Sequence, residues 1–260
     1  MQKTKIEYVD YTFNPITGCL HGCEYCYARR IARRFAKREV DVLTYDFAHY
    51  TDVIKGDICY SNTHHTLDTP EKVEGKISCY PYEFSPTFHR YRLGEPQKIK
   101  KPQNIFVCSM GDLFHDAIPD EWIQAVFAAC EKAPQHRYLF LTKNPGRYEQ
   151  FIKKYMPKNM WFGWTQTRPS GLAFQTHHSW QTFLSLEPMQ AEFNFPNPQF
   201  DWIIIGAETG NHKGKIIPKR EWIESIVFEC RRKNIPIFLK NSLKDIWQDD
   251  LIQEYPWGVK

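Results

Sequence analysis

The feature that most constrains the fold is a regular alternation of short apolar runs and amphipathic stretches from residue 104 to residue 240. Asp201–Ile205 is the clearest apolar run, and the stretch 219–233 places its apolar side chains on one face of a helix. Nearly continuous apolar strands separated by helices are typical of a parallel sheet that helices cover. The sequence therefore predicts an α/β fold.

Seven strands and four helices are predicted, and the first strand and the first helix flank a cysteine-containing loop near the start of the chain. The predicted strands are 6–13, 105–108, 138–141, 160–164, 182–186, 201–205 and 235–239. The predicted helices are 27–38, 119–132, 145–155 and 219–233. Residues 41–103 break the alternation and are predicted to form a lid or one wall of a pocket, because long loops in compact domains are commonly functional.

This segment also contains histidines and cysteines that raise the question of a second metal site. They are His49, Cys59, His64, His65, Cys79 and His89. No pair of them has the spacing of a zinc knuckle, so scattered structural residues are the favoured interpretation. Its aromatic side chains either stack on a planar ligand or pack within the loop; they are Tyr80, Tyr82, Phe84, Phe88 and Tyr91.

Short, mainly polar segments follow the predicted strands at the points where the strands end. Their residues are Ser109, Met110, Gly111, Asp112, Thr142, Lys143, Thr165, Gln166, Thr167, Ser185, Glu187, Glu208 and Lys240. The working face of a parallel barrel lies at the carboxyl ends of its strands, so we expect these residues and the cysteine loop to form one site. Loops are polar in general, which explains any one of these residues but not the whole series.

Three cysteines, Cys19, Cys23 and Cys26, lie within eight residues at the spacing C-x3-C-x2-C, on a loop that contains Gly18 and Gly22. Thiolates are soft ligands, and a compact group of them selects an iron–sulfur cluster or zinc. A [4Fe–4S] cluster normally takes four thiolates, so three leave one iron open to another ligand. A small molecule with an amine and a carboxylate suits that position, such as the methionine end of S-adenosylmethionine.

The cysteine loop has two other interpretations, a zinc site and a disulfide. Zinc accepts three cysteines and a histidine, and His21 lies between two of the cysteines. Structural zinc sites usually draw their ligands from two separated knuckles, however, which this loop does not provide. A disulfide requires an oxidising compartment, and nothing in the sequence suggests one. The cluster is therefore the favoured interpretation.

Longer motifs give the chain a family resemblance. The motifs are Asn14–Ala28 with Tyr25 just before the third cysteine, Cys108–Phe114, Ala133–His136, Leu141–Pro145, Leu186–Pro188 and Gly206–Gly210. Together they resemble the radical S-adenosylmethionine superfamily and, within it, a phage-protein-like family. The resemblance implies a single radical S-adenosylmethionine domain over residues 1–260 with a partial (β/α)6 TIM-like barrel. Residues 41–103 would be an insertion or lid after the first βα unit.

The resemblance also implies a role for each residue near the cofactor. Cys19, Cys23 and Cys26 would ligate the [4Fe–4S] cluster as the catalytic centre, and the Tyr25 backbone would contact the adenine of S-adenosylmethionine. The acceptors for the methionine ammonium would come from Ser109, Met110, Gly111 and Asp112, which depart from the usual two glycines and a glutamate. Lys143 would meet the methionine carboxylate, unless it is a solvated loop lysine. The ribose or adenine contact would come from Thr165 or Gln166.

Four residues remain for the substrate: Asn14, Glu187, Glu208 and Lys240. A carboxylate offers two acceptor oxygens, which suits a guanine-like edge with adjacent N–H donors. Glu187 is alternatively a structural carboxylate paired with Lys240. The resemblance implies fragmentation of a modified nucleobase, with queuine as the specific expectation and 7-aminomethyl-7-deazaguanine as its product. The electron donor would be a flavodoxin or a ferredoxin.

Charge and composition bear on the partners and the compartment. The net charge of +4 is mild, which favours a small nucleobase over nucleic acid, although a radical lyase or repair enzyme acting on DNA or RNA stays an alternative. A non-catalytic, zinc-stabilised binding protein is the other alternative. The first residues lack an apolar signal segment and no apolar run approaches about 18 residues. With eight cysteines expected to be reduced, the chain is predicted to be cytoplasmic.

Overall fold

The computed structural model describes residues 1–35, 64–151, 158–169, 180–194, 198–209 and 214–258. Residues 41–63 of the predicted insertion, which include His49 and Cys59, lie outside the described residues. The same is true of 36–38 and 152–155, which end two of the predicted helices.

The described residues form thirteen strands and five α-helices. The strands are β1 Gln2–Lys3, β2 Tyr11–Phe13, β3 Ile16–Thr17, β4 His65–Leu67, β5 Lys72–Val73, β6 Lys76–Ile77, β7 Thr87–His89, β8 Asn104–Val107, β9 Arg137–Thr142, β10 Met160–Thr165, β11 Gln181–Leu186, β12 Trp202–Ile205 and β13 Ile237–Leu239. The helices are α1 Tyr27–Phe35, α2 Asp120–Glu131, α3 Tyr148–Phe151, α4 Arg220–Lys233 and α5 Lys244–Trp247.

One eight-stranded sheet dominates the fold, in the order β1-β2-β8-β9-β10-β11-β12-β13. Every neighbouring pair from β2 to β13 is parallel, and only β1 runs antiparallel to its neighbour. The mixed α/β architecture follows from the continuous apolar strands, which are buried on both faces. Among the described strands no pairing joins β1 to β13, so the sheet is open there. The partial (β/α)6 barrel stays a prediction.

The sheet is strongly curved, and Tyr8 shows this most directly. Its ring centroid lies 6.3 Å from that of Phe106 on β8 and 5.8 Å from that of Phe238 on β13. Five steps separate these strands in the sheet order. A flat sheet would hold them about 24 Å apart, because neighbouring strands are spaced by about 4.8 Å. The carboxyl ends of distant strands are therefore brought close together.

Side-chain alternation along the strands separates an inner core from two outer ones. The inner core takes residues from six strands: Phe106, Leu139, Trp161, Phe183, Trp202 with Ile204, and Phe238. Their chain neighbours face the helices instead, in two outer cores that α2 and α4 help to build. Gly163 is required on the inner face, since a Cβ there would lie 2.4 Å from the Phe183 ring. The same alternation continues to the carboxyl ends of the strands. The residues that it places on the inner face there are 143, 165, 185, 187 and 240.

The predicted first strand, 6–13, is wrong in its first half. Strand β2 covers only Tyr11–Phe13, and residues 6–9 form a turn in which the Val9 amide donates to the Ile6 carbonyl at 3.3 Å. The Asp10 carboxylate accepts a hydrogen bond from the Asn104 amide at 2.8 Å, which fixes the end of this turn. Tyr8 and Val9 are buried because they fill the inner core, not because they belong to a strand.

The later predicted elements agree with the structure to within two residues where it describes them. The exception is 145–155, which begins as a 3-10 turn at Pro145–Arg147 and continues as α3. Helix α4 ends at Asn234, whose φ of +55° is the left-handed conformation common at helix ends. No described helix has the length and apolar character needed to cross a membrane.

The described part of the insertion, 64–103, packs beside the cysteine loop. Strands β3, β7 and β4 form a small sheet, and Tyr80 and Phe84 pack against the buried alanines of α1. The His65 ring stacks on Tyr82 with centroids 3.7 Å apart, and the His64 ring contacts Trp122 edge-on. Neither histidine belongs to a metal-binding group in the described part of the chain.

Candidate functional site

A cleft of about 980 Å³ lies at the carboxyl ends of the parallel strands. Fifteen residues were given a cofactor or substrate role, and the cleft is lined by fourteen of them: Asn14, Cys19, Cys23, Tyr25, Cys26, Ser109, Met110, Gly111, Asp112, Lys143, Thr165, Glu187, Glu208 and Lys240. Gln166 is the exception; its amide donates to the Ser185 carbonyl at 3.0 Å, but it does not line the cleft. Cys79, Tyr80 and Phe84 of the insertion supply part of one wall.

Backbone contacts hold the cysteine loop against its neighbours. The Gly18 amide donates to the Met110 carbonyl at 2.9 Å, and the Cys19 amide donates to the Phe84 carbonyl at 3.0 Å. Gly18 has a φ of +87°, and a Cβ there would lie 2.3 Å from the Ser85 carbonyl oxygen. Only glycine satisfies both requirements, because it tolerates positive φ and leaves room for the adjacent backbone. The loop is thus fixed at its first cysteine.

The three thiols are free and half-buried. Burial raises the pKa of the Cys19 thiol to about 12, and the nearby Asp112 carboxylate adds to that effect. The Cys26 sulfur accepts a hydrogen bond from the Arg29 amide at 3.4 Å. Within the described residues, no three His, Cys, Asp or Glu side chains are already gathered in a metal-binding arrangement.

Asp112 is the most connected side chain of the site, and it is buried. One carboxylate oxygen accepts bonds from His21 Nε2 at 2.8 Å and from the Lys143 amide at 2.9 Å. The other accepts from the Thr142 hydroxyl at 2.7 Å and from the Phe114 amide at 3.0 Å. Burial alone would raise the pKa of this carboxyl, but His21 and the other donors lower it below its ordinary value.

These four bonds change the interpretation of Asp112. A carboxylate has about four lone-pair positions, and each is used by a protein donor. The sequence predicts that Asp112 accepts a bond from a ligand ammonium, whereas here it joins the cysteine loop to the end of β9 through His21, Thr142 and Lys143. We therefore describe Asp112 as a positioning residue. The fourth zinc ligand considered for the loop, His21, is the partner of this carboxylate.

Asn14, predicted to contact the substrate, supports the turn that follows β8. Its side-chain oxygen accepts bonds from the Ser109 hydroxyl at 3.1 Å and the Met110 amide at 3.3 Å. The turn begins at Cys108, a buried residue with φ of +58°, an unusual value for a side chain other than glycine. The Tyr27 hydroxyl donates to the Ser109 carbonyl at 2.8 Å, which ties α1 to the same turn.

At the cysteine end of the cleft, the Lys143 ammonium lies 5.8 Å from the centroid of the Tyr25 ring. This distance is within the range of a cation–π interaction. Burial and the neighbouring Cys23 raise the pKa of the Tyr25 hydroxyl, so it keeps its proton. Lys143 therefore presents a positive charge beside the thiols, on the inner face of the curved sheet.

Elsewhere in the cleft, Glu187 forms an ion pair with Lys240, whose ammonium also lies 3.7 Å from Glu7. The structural interpretation of Glu187 is therefore correct as far as its partner is concerned, and both side chains still line the cleft. Gly206 makes room for the pair, since a Cβ there would lie 3.1 Å from both side chains. Glu208 is buried and has a polar or ionic interaction of its own.

The family model of a protein of unknown function, DUF5131, matches residues 3–250. The chain belongs to the DUF5131 family. No curated protein and no solved structure matches it. The matched region contains every predicted site residue from Asn14 to Lys240.

Among the other residues of this DUF5131 cleft, Ser185 was expected at the site without a ligand-binding role, and Tyr8 was not expected there. Tyr8 lies at the base of the cleft, and Ser185 lies on β11 two residues before Glu187. The signal for Ser185 is in the sequence, because it shares the inner face with Phe183 and Glu187 by the two-residue alternation of a strand. Tyr8 carries no such signal, since its position depends on the turn that replaces the first half of the predicted strand.

Proposed function

We propose that the protein is a radical S-adenosylmethionine enzyme in which Cys19, Cys23 and Cys26 hold a [4Fe–4S] cluster. Its substrate is a modified nucleobase, which it fragments after removal of a hydrogen atom. The observation that carries the proposal is that these three thiols share one cleft with eleven other residues predicted for the same chemistry. That cleft lies at the carboxyl ends of parallel strands, where α/β enzymes commonly build their active sites.

The chemistry of the donor set supports a cluster. The thiols are free, and the backbone amide of Arg29 already donates to the Cys26 sulfur, a type of contact that stabilises cluster thiolates. Burial keeps the Cys19 thiol protonated in the metal-free protein, so this proton must leave when a cluster binds. Because the thiols are not yet grouped, we expect their side chains to rotate when a cluster is inserted.

When bound, the cluster supplies the electron that cleaves S-adenosylmethionine and so produces a 5′-deoxyadenosyl radical. The residues of this chain would bind and orient the nucleotide. Lys143 would pair with its carboxylate, and backbone carbonyls of the turn 109–111 would accept from its ammonium, since the carboxylate oxygens of Asp112 are taken. Asp112 and His21 would hold the cysteine loop in a fixed position relative to Lys143.

The specific substrate that we propose is queuine, with release of 7-aminomethyl-7-deazaguanine. A flavodoxin or a ferredoxin would deliver the electron. Glu187, Glu208 and Lys240 support a nucleobase, because they provide acceptors and one donor in the same cleft as the thiols. The proposal also assigns the protein to the cytoplasm, where a reducing environment preserves free thiols and iron–sulfur clusters.

The test is an anaerobic assay for 5′-deoxyadenosine with reductant, S-adenosylmethionine and queuine. We expect 5′-deoxyadenosine and 7-aminomethyl-7-deazaguanine to form together, and neither to form when the reductant is omitted. If 5′-deoxyadenosine appears without a deazaguanine product, queuine is the wrong substrate but the radical chemistry stands. If a protein with a full complement of iron and sulfide produces none under any condition, the radical proposal is wrong.

The same assay separates the nucleic-acid alternative. Three arginines of α1, Arg30, Arg33 and Arg34, are exposed and would be its phosphate contacts. A DNA- or RNA-acting enzyme would bind an oligonucleotide with an affinity that falls steeply with salt, because phosphate contacts release counterions. We expect no such binding at about 0.15 M salt by fluorescence anisotropy.

A further inference from the structure

The base of the cleft contains a buried hydroxyl group that no described residue satisfies. Ser185 is 1 % exposed, and its hydroxyl has no hydrogen-bond partner in the described part of the chain. The Tyr8 side chain, which is 2 % exposed, also belongs to this base. Both side chains line the cleft. Buried polar groups are normally paired, so the unpaired Ser185 hydroxyl indicates a ligand with polar atoms.

The position of Tyr8 defines this base. Its ring packs edge-on against Phe106, Trp202 and Phe238, and these contacts close the inner core beneath the cleft. The Lys240 ammonium lies 5.9 Å from the same ring. Burial raises the pKa of the Tyr8 hydroxyl, and the charges of Glu187 and Glu7 add to the effect. Tyr8 therefore keeps its proton and can donate a hydrogen bond.

The charges shown to act on Tyr8 are two carboxylates and one ammonium. Glu187 and Glu7 act on its hydroxyl, and Lys240 is the ammonium beside its ring. Lys3 and Lys5 also line the cleft, but they are exposed and therefore screened by water. Lys143 lies beside Tyr25. A phosphate group would meet like charges here, which disfavours its binding, whereas an amine or ring N–H groups would find acceptors.

We propose that this base, with Tyr8 and Ser185 as its specificity-determining hydroxyls, binds an unphosphorylated, amine-bearing purine-like base. The inference rests on the proposed function, which makes this cleft the substrate-binding site, and it goes further in two ways. It assigns roles to Tyr8 and Ser185, and it excludes nucleotides and nucleic acids as the ligand at this site. Tyr8 donates to a ring acceptor, Ser185 pairs with a neighbouring heteroatom, and the carboxylates accept from the amine and ring N–H groups.

Isothermal titration calorimetry on the anaerobically prepared full chain tests this inference. The probes are 7-aminomethyl-7-deazaguanine and guanosine 5′-monophosphate. We expect the amine-bearing base to bind at least about tenfold more tightly, and Ser185→Ala and Tyr8→Phe each to weaken its binding by about tenfold. Ser78→Ala and Tyr138→Phe remove buried hydroxyls that do not line the cleft, so they should leave binding unchanged. Circular dichroism confirms that each variant folds.

Several outcomes would overturn the inference. The first two are equal binding of the nucleotide and failure of the base to bind at all. The third is unchanged affinity in both Ser185→Ala and Tyr8→Phe, which is expected if water alone pairs with the hydroxyls. Iron and sulfide content and 5′-deoxyadenosine formation are measured on the same preparation. Hydroxyl-dependent binding in a protein that takes up no cluster would support the base site and reject the radical chemistry. If 5′-deoxyadenosine forms but binding of the base does not depend on the two hydroxyls, the radical proposal is supported and the base site is rejected.

Discussion

Asp112 connects segments that are far apart in the sequence. Its carboxylate accepts bonds from His21 in the cysteine loop and from Thr142 and Lys143 after β9. Hydrogen bonds to a charged group contribute about 1.5–3 kcal/mol each, and a buried donor that loses its acceptor carries a similar penalty. The geometry of the cysteine loop therefore depends on one residue that we do not expect to touch the substrate.

Asp112→Asn tests that dependence. The substitution removes the charge and turns one acceptor into a donor that faces either His21 and the Lys143 amide or the Thr142 hydroxyl and the Phe114 amide. We expect the free energy of unfolding to fall by about 3 kcal/mol, measured by urea denaturation. Asp116→Asn is the matched control, because its partner contact with Asn144 is exposed, and it should cost less than about 0.5 kcal/mol. Equal losses would show that Asp112 has no special role.

His89 should make stability depend on pH. It is fully buried, next to Thr17, and burial together with the Arg92 charge lowers its pKa from 6.5 to about 3. Between these values the unfolded chain binds a proton that the folded protein does not. The free energy of unfolding should therefore decrease as the pH falls from 6.5 towards 3, by up to about 5 kcal/mol from this residue.

The measurement is urea denaturation of the wild type and His89→Gln at several pH values. Glutamine can still bond to Thr17 but does not titrate. Below pH 6.5, the number of protons taken up on unfolding should therefore be smaller in the variant by up to one. Above about pH 7.5 the two proteins should show parallel profiles, because the histidine is then neutral in both states. Identical slopes at low pH would contradict the assignment.

At the scale of elements, the cysteine loop is held in place by backbone contact with the loops 84–85 and 108–111. Gly18 and Gly22 allow this to be tested, because both have positive φ but only Gly18 has backbone within contact distance of an added Cβ. Gly22→Ala should cost about 1 kcal/mol from its φ alone. Gly18→Ala must in addition displace the Ser85 carbonyl, so we expect a loss of about 3 kcal/mol or more.

The same two variants report on the metal site. Because Gly18→Ala moves the backbone next to Cys19, we expect iron content after reconstitution to fall by more than half, whereas Gly22→Ala should keep most of its iron. Iron per chain is measured alongside urea denaturation. If the two variants lose iron equally, the contact between Gly18 and Ser85 does not position the first ligand.

The long elements were predictable because their patterns are local. Strands β9 to β13 are continuous apolar runs, and α2 and α4 have helical periodicity together with clear ends. The short strands β1 and β3 to β7 were not predicted, since pairs of two or three residues are determined by tertiary contacts. The turn at residues 6–9 was missed for a related reason: its apolar residues have strand-like character, but they fill the inner core.

The sequence predicted which residues belong to the candidate site but not which of them hydrogen-bond to one another. The carboxyl ends of the strands gave Lys143, Thr165, Glu187 and Lys240, and the structure brings them into one cleft. The partners of Asp112 and Asn14 could not be predicted, because hydrogen bonds between separate loops depend on how the sheet curves. The same curvature brings Tyr8 beneath the cleft and so creates the base where Ser185 lies.

For the molecule as a whole, the N-terminal segment occupies the gap next to β13. The Glu7 carboxylate accepts from the Asn241 amide at 3.0 Å and lies near Lys240, and the Tyr255 hydroxyl donates to the Glu7 carbonyl at 3.4 Å. Tyr8 then reaches the inner core from this segment. The N-terminal segment thus lines the same cleft as the cysteine loop and contacts the C-terminal part of the chain.

The most direct test of the account is the metal content of the protein purified without oxygen. We predict about four iron and four sulfide per chain, with a reducible signal in electron paramagnetic resonance, and loss of both in a Cys19→Ser, Cys23→Ser, Cys26→Ser triple variant. Cys230→Ala, in an outer core away from the cleft, should keep the full content. A single zinc without sulfide, or iron retained by the triple variant, would contradict the account.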